Sequence, residues 1–426
     1  MGKHFAFLAV LPLAGLLLAA GHDEARPPDT PGWTEFRLDP QNDARVRGTL
    51  TVTWTIRAGG SYSSSPTFDR GRLFIGNNNG DVYAIDPNDG KITWSAHFAS
   101  SVMGAPIVYH GKVFVFEGAQ EQYSPVYPHP TSGPVSENGV IALDERNGEP
   151  QWRFPLRGTG MPTGLILDGT LVHHNGAGQL VGLDAATGAL RFQRLDRGIA
   201  SMTAALPIGG GRFVTTAVWP NTIRAYSVTN GSTLWEHDFP ATASGVGDCP
   251  PATDGKRVFC DYLAPPAGAP NRSVLIGEIA GEHAYAVAAA NGNLVWDVVY
   301  EHGPLPAWNE AAIPLVAYDR VYVGSSVSAS VHALDPATGA TLWVVPVHGP
   351  VKGGIVSQNR TVYFGDLAGY LWAVDASDGH VIGSKNMHSS FNVGSPVIVG
   401  HTLIIGSRTG ELFALPVETI RNTHDR

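Results

Sequence analysis

The chain reads as an all-β, eight-bladed β-propeller of four-stranded antiparallel blades, with the last blade closed by an N-terminal strand. Three observations predict this. A unit Ala-x-Asp-x-x-x-Gly-x-x-x-Trp recurs seven times, alternating apolar runs precede each copy, and an incomplete repeat stands at each end.

The first unit is Ala84, Asp86, Gly90 and Trp94, and the second is Ala142, Asp144, Gly148 and Trp152. Leu183, Asp184, Gly188 and Phe192 form the third, with Phe in place of Trp. Ala225, Gly231 and Trp235 follow with Ser227 at the Asp position, then Ala286, Gly292 and Trp296 with Ala288 there. Ala333, Asp335, Gly339 and Trp343 restore the pattern, and Ala373, Asp375 and Gly379 end in Gly383 without the aromatic. Successive glycines stand 58, 40, 43, 61, 47 and 40 residues apart. A base period of about 40 is the size of one four-stranded blade.

Each blade is read as strands A to D. Arg72-Leu73-Phe74-Ile75-Gly76, Lys112 to Val115 and Arg320 to Gly324 alternate as strand B, and runs such as Pro106 to Tyr109 and Pro396 to Val399 precede them as strand A across a two-residue turn. The Asp and Gly then fall at the C–D turn, where Gly permits positive φ and Asp accepts turn N–H groups. The Trp on strand D is expected in the interface to the next blade. After the seventh unit, Pro396 to Pro416 supplies strands A, B and C only, while Thr49 to Ile56 alternates around Trp54 with no repeat ahead of it. Pairing the two closes the ring and removes open sheet edges.

The repeat unit and the opening Trp33-Thr34-Glu35-Phe36-Arg37-Leu38-Asp39-Pro40-Gln41-Asn42 resemble the pyrroloquinoline-quinone-type (PQQ-type) repeats of quinoprotein dehydrogenases and outer-membrane assembly propellers. The resemblance spans roughly residues 33–417. It lies in the structural parts of the blades, so it speaks to fold and leaves activity open.

At 426 residues the chain exceeds an ordinary domain, but a propeller is one ring. Only 15% of residues are charged, and the 51 Gly and 31 Pro suit many short turns. A net charge of −9 without a basic run argues against nucleic acid as a partner. Lys3 and His4, an apolar stretch from Phe5 to Ala20 and small residues at its end read as a secretory signal peptide over 1–21. Residues 22–32 read as a flexible leader, 33–417 as the propeller and 418–426 as a tail. The expected location is periplasmic or extracellular, with no transmembrane anchor after cleavage. His22 stands where a lipoprotein would carry its lipidated Cys, which departs from the outer-membrane assembly propellers.

The two cysteines, Cys249 and Cys260, flank Asp254-Gly255 and face each other if that pair turns between strands A and B of blade five. An oxidising compartment then gives a disulfide staple. A redox or metal pair is the alternative, without the close spacing and His partners that a metal needs.

Propeller geometry puts D–A and B–C connections on one face and the short A–B and C–D turns on the other. The long connections all fall on the first: Glu117 to Gly139, Tyr262 to His283, Glu236 to Asp248 and Glu301 to Glu310. Long loops within a compact domain are often functional. The residue three before each strand-A proline predicts a ring at the channel mouth: Ser63, Met103, Met161, Thr203, Asp248, Ala311, Lys352 and Val393. Asp248, Lys352 and nearby Glu310 are the candidate catalytic groups, and Trp308, Asn309 and Asn392 the candidate cofactor-binding ones. A structural ion pair or solvated funnel stays open as the alternative. His173 and His174 alternate on a strand and read as packing and surface, while His129, His302, His348 and His388 lie in loops without a matching carboxylate spacing, so no metal is assigned.

Three functions follow. The first is a periplasmic binding or scaffold propeller that holds a protein or peptide on its loop face. The second, implied by the dehydrogenase resemblance, is oxidation of an alcohol or sugar by PQQ with Ca²⁺, Glu310 and Asn309 holding the metal and Asp248 acting as base. The third resembles the tetrathionate hydrolases, with Asp248 as the acidic residue acting on a small molecule at the channel mouth.

Overall fold

The computed structural model describes residues 35–118, 138–200, 202–218, 220–239, 249–264, 277–305 and 312–425. Its sheets form eight blades of consecutive antiparallel strands, A innermost and D outermost. Blade one comprises Thr67–Asp69, Arg72–Gly76, Asp81–Ile85 and Ile92–His97. The plan repeats to blade seven, Val356–Gln358 through Val381–Asn386. Blade eight takes Val397–Val399, Thr402–Gly406 and Glu411–Pro416 from one end of the chain and Trp54–Arg57 from the other, with Trp54 registered on Ala414.

The Gly and Trp of the repeat make one joint between blades. The seven turn glycines hold φ from +67° at Gly231 to +78° at Gly379, and the aromatic of the preceding blade lies directly on each. A Cβ on Gly148 would come within 2.6 Å of the Trp94 ring, whose Nε1 donates to Glu145 O at 3.0 Å. Glycine is therefore required twice over, for its backbone and for its missing side chain. The turn Asp behaves as expected: Asp335 Oδ1 accepts the N–H groups of Ala337 and Thr338 at 2.8 and 2.9 Å.

Blade seven lacks its aromatic for a physical reason. Strand C of blade eight runs straight into a short helix, Val417–Arg421, so no C–D turn exists for an aromatic to cover. The backbone of Ile420 and Arg421 instead fills the space over Gly383, and Ser384 N–H donates to Thr423 O at 2.7 Å.

One element escapes the repeat reading. Arg45–Val46 pairs in parallel with Val397–Val399 as a fifth strand of blade eight. The segment before it fills the axial channel. Thr253 N–H donates to Pro40 O at 2.7 Å, Val316 to Gln41 O at 2.9 Å, Ser357 to Asp43 Oδ1 at 2.8 Å and Ile398 to Ala44 O at 3.0 Å. The inner strands of blades five to eight thus share one bonding partner. Asn42 offers its amide to the carbonyls of Pro251 and Pro314 at 3.2 and 3.0 Å, and buried Arg37 donates to Asn42 O at 2.8 Å and Ile355 O at 2.6 Å. Phe36 packs with Ala105, Ala204 and Ile313, contributed by blades two, four and six.

Candidate functional site

The channel is a shallow dead end. Beside Phe36 lies a cavity of about 20 Å³, room for one water, lined by Met103, Met161, Met202 and small residues. Five of the ring positions expected from sequence, Ser63, Met103, Met161, Thr203 and Val393, do line it. Asp248, Trp308, Asn309, Glu310 and Ala311 lie outside the described residues. Lys352 is buried in the D–A segment of blade seven. Half-buried Asn392 is close by, its carbonyl 2.7 Å from where a Cβ on Gly353 would stand. The described lining carries no charged side chain to meet a multiply charged quinone or its metal, and no step below runs through such a group.

One layer behind this lining, the seam between blades five and six holds two fully buried carboxyls, Asp261 and Glu282. Asp261 lies on strand B, Arg257–Ala264, and Glu282 on strand C, Ile279–Ala288. Asp261 pairs with Ala284 and Leu263 with Glu282, so the alternation of the two strands points both acids at blade six. The channel is one residue away: Ala312 N–H donates to Asp261 Oδ2 at 3.0 Å, and the next residue, Ile313, lines the cavity.

The two acids are solvated unequally. Glu282 accepts three bonds, from Ser325 Oγ at 2.6 Å, Ser326 N at 2.9 Å and Ser326 Oγ at 2.6 Å. Asp261 Oδ1 has no partner among the described residues. The Tyr300 hydroxyl lies 2.8 Å from Gly324 O and 3.3 Å from Asp261 Oδ2 and also neighbours Glu282. Its one proton is divided among these acceptors, so it supports the Asp261 carboxylate only weakly. Burial pushes the Asp261 carboxyl well above the usual range, and the Glu282 charge pushes it further. Burial raises Glu282 as well, against the three bonds that favour its ionised form. The bonds to Ser325 and Ser326 thus favour the charge on Glu282 over Asp261, and the proton on Asp261, the separation of two carboxyls by environment that acid catalysis uses.

Cys249 and Cys260 form the expected disulfide, Cα atoms 6.1 Å apart. The hairpin registers Ala252 on Phe259 and Thr253 on Val258, so the cysteines are offset rather than directly opposite, because Pro250-Pro251 interrupts the inner strand. Asp261 N–H faces Cys249 Sγ at 3.4 Å, and a carboxyl oxygen of Asp261 lies within 4.8 Å of both sulfurs. Bonded to each other, the sulfurs cannot serve as thiolate ligands, and among the described residues they are the only cysteines in such a cluster.

Two further expectations are corrected. His173 and His174 were split between packing and surface, but both are buried, because a blade inside a ring has a neighbour on each side. His173 stacks on Phe116 of blade two at 4.8 Å, and His174 Nδ1 meets Thr215 Oγ1 of blade four at 3.0 Å. Burial pushes them down to about 3 and about 4. The connections expected from Tyr262 to His283 and from Glu301 to Glu310 are also shorter than expected, since strand B of blade five continues to Ala264, strand C starts at Ile279 and strand D extends to Pro304. Tyr262, His283 and His302 are thus strand residues.

The sequence reading passed over Asp261 and Glu282 because it sought chemistry in loops. A signal existed in the repeat. Asp261 is the fifth residue of its strand B, and that position is Gly76, Gly324, Gly365 and Gly406 in blades one, six, seven and eight. There the absent side chain admits Val102, Val351, Phe391 or Tyr62 from the D–A segment of the next blade.

Fold and site together define an eight-bladed PQQ-type repeat propeller with a plugged axis and an acidic seam beside it. The family described as outer membrane protein assembly factor BamB matches residues 43–194, 136–262, 196–350 and 280–421, and the chain belongs to it. Tetrathionate hydrolase of Acidithiobacillus ferrooxidans is 27% identical over 354 residues, 80% of this chain and 69% of that relative. BamB of Burkholderia pseudomallei is 23% identical over 427 residues, 96% of this chain and 98% of the relative. Among solved structures, quinohemoprotein alcohol dehydrogenase from Comamonas testosteroni superposes with a TM-score of 0.63 at 12% identity, covering 93% of this chain and 81% of its own, a likeness of fold.

Proposed function

We propose that this is an exported hydrolase of small sulfur–sulfur compounds, acting on its loop-rich face with Asp261 as the general acid. The observation that carries this reading is the buried Asp261–Glu282 pair, in which Asp261 has an oxygen without a partner among the described residues and stands one residue from the channel lining. Hydrolysis of a sulfur–sulfur bond places the hydroxyl of water on one sulfur and a proton on the other. Asp261 supplies that proton to the departing sulfur, and the ionised Glu282 keeps the proton on Asp261 until it is needed. The likeness to tetrathionate hydrolase supports the substrate class, and the disulfide supports an oxidising compartment.

The test is tetrathionate consumption by the purified chain from acid to neutral pH. Asp261→Asn should lower turnover about 10³-fold while the protein stays folded, since Asn can accept the Ala312 N–H and fill the same volume. A wild-type protein that consumes no tetrathionate would sink the reading. The size match to BamB favours a second reading, a binding propeller for outer-membrane protein assembly. On that reading, loss of the chain lowers outer-membrane protein levels and Asp261→Asn restores them fully.

A further inference from the structure

We propose that the hollow between blades one and two, on the short-turn face, binds a doubly charged oxyanion, a phosphate or sulfate group, either free or carried on a small molecule. That face is opposite the acidic seam, so the inference is independent of the hydrolase reading. The hollow measures about 460 Å³. Two A–B turns wall it, Arg70-Gly71-Arg72 and His110-Gly111-Lys112, each with a basic residue on both sides of its glycine, and its floor is the C–D turn of blade two.

The carboxylates of the floor are already engaged. Asp144 takes a forked pair from Arg146 at 3.2 and 3.0 Å, and Arg70 lies 3.2 Å from Asp69 and 3.9 Å from Glu145. Arg72 donates to the Glu145 backbone carbonyl at 2.9 Å and forms no ion pair within 4 Å among the described residues, though its charge reaches the Glu145 carboxyl, and Lys112 has no acceptor among the described residues. Four full cations thus meet three carboxylates, Asp69, Asp144 and Glu145, a surplus of one positive charge before His110 is counted, on a chain whose net charge is −9.

The ring supplies its own control. The corresponding hollow between blades five and six measures about 200 Å³, and there Lys256 and Arg257 are balanced by Asp254 and Asp319. The A–B turns of blades five and six bring an aspartate each to that hollow, whereas those of blades one and two bring Arg70, Arg72, His110 and Lys112 to theirs. Unpaired guanidinium and ammonium groups flanking one hollow are the chemistry that takes a phosphate or sulfate. The larger hollow leaves space for a body attached to it.

Isothermal titration of the full chain at low ionic strength with inorganic phosphate, sulfate, glucose 6-phosphate and glucose tests this. Saturable binding of the anions without binding of glucose is expected. Lys112→Glu should weaken binding at least about tenfold, with an unchanged melting temperature because Lys112 supports no contact, and Lys256→Glu should leave it unaltered. Equal affinity for phosphate and glucose 6-phosphate identifies a free anion as ligand, and tighter glucose 6-phosphate identifies a carried one. Absence of saturable anion binding, or binding that survives both Lys112→Glu and Arg72→Gln, overturns the inference.

Discussion

Blades three and five depart from the same position of the repeat and handle protons in opposite ways. The fifth residue of strand B is His174 in one and Asp261 in the other, where four blades have glycine and admit an apolar side chain from the next blade. Replacing that glycine puts a titratable group inside a seam. In blade three the seam offers one hydroxyl, from Thr215, and burial keeps the imidazole neutral. In blade five a second acid stands beside the first, and both carboxyls are raised, Asp261 partly by the charge of Glu282. Burial thus yields neutral groups in both seams, but only the acidic seam retains a proton that can be given away.

The largest effect separating the seams concerns stability against pH. A histidine whose folded pKa is lowered leaves stability unaffected above about 6.5. As pH falls below that value, the unfolded chain takes up protons that the folded chain refuses, and stability is lost down to about 3 for His173 and about 4 for His174. At pH 4.5 each costs about 2–3 kcal/mol. A raised carboxyl acts in reverse: its contribution is complete below its unfolded value and is lost as pH rises through the folded one. Urea midpoints at pH 7 and 4.5 should therefore show an acid loss in the wild type that His173→Leu with His174→Gln largely removes. An unchanged acid loss in that double variant would mean the histidine seam admits water and takes up protons in the folded state.

Next in size is activity. Asp261→Asn should lower tetrathionate turnover by about 10²–10⁴-fold, whereas His174→Gln, at the equivalent position, should stay within about twofold of wild type. Equal losses would show that the position serves only packing.

Reduction of the Cys249–Cys260 bond comes third. Closing a loop of this length stabilises a fold by about 3 kcal/mol, and the bond also fixes the sulfur that the Asp261 N–H faces. A reduced protein should show a lower urea midpoint and reduced turnover, with the acid loss caused by the histidines unchanged.

How much of this was legible follows from period. The seven units, the closing strand at Trp54 and the bonded cysteines were readable because each obeys the repeat or a hairpin spacing. The axial plug was not, because Phe36 packs on blades two, four and six, Asn42 bonds to five and six, and Arg37 and Asp43 both bond to seven, so the segment carries no alternation. Asp261 stands between Cys260 and Tyr262 and Glu282 between Gly281 and His283, neither in a recognisable motif, and only a comparison of equivalent positions across blades singles out Asp261 where glycine recurs. Asp248 and Lys352 drew notice as polar breaks in an apolar ring, a criterion that cannot see a polar group one layer behind it.

The smallest effect tests the hydroxyl between the acids and blade six. Tyr300→Phe removes the donor to Gly324 O and the neighbour of Asp261 Oδ2, at a cost of about 1 kcal/mol. The Tyr300 hydroxyl also holds the Asp261 carboxyl lower than burial alone would set it. Without it Asp261 keeps its proton to higher pH, so the alkaline limb of the turnover profile should move up while the acid limb stays in place. His332 packs edge-on against the Tyr300 ring at 5.0 Å, and Phe preserves that contact, so the shift reports the hydroxyl alone. A limb that moves down, or does not move, would separate Tyr300 from the titration of Asp261 and return it to a purely structural role in the seam.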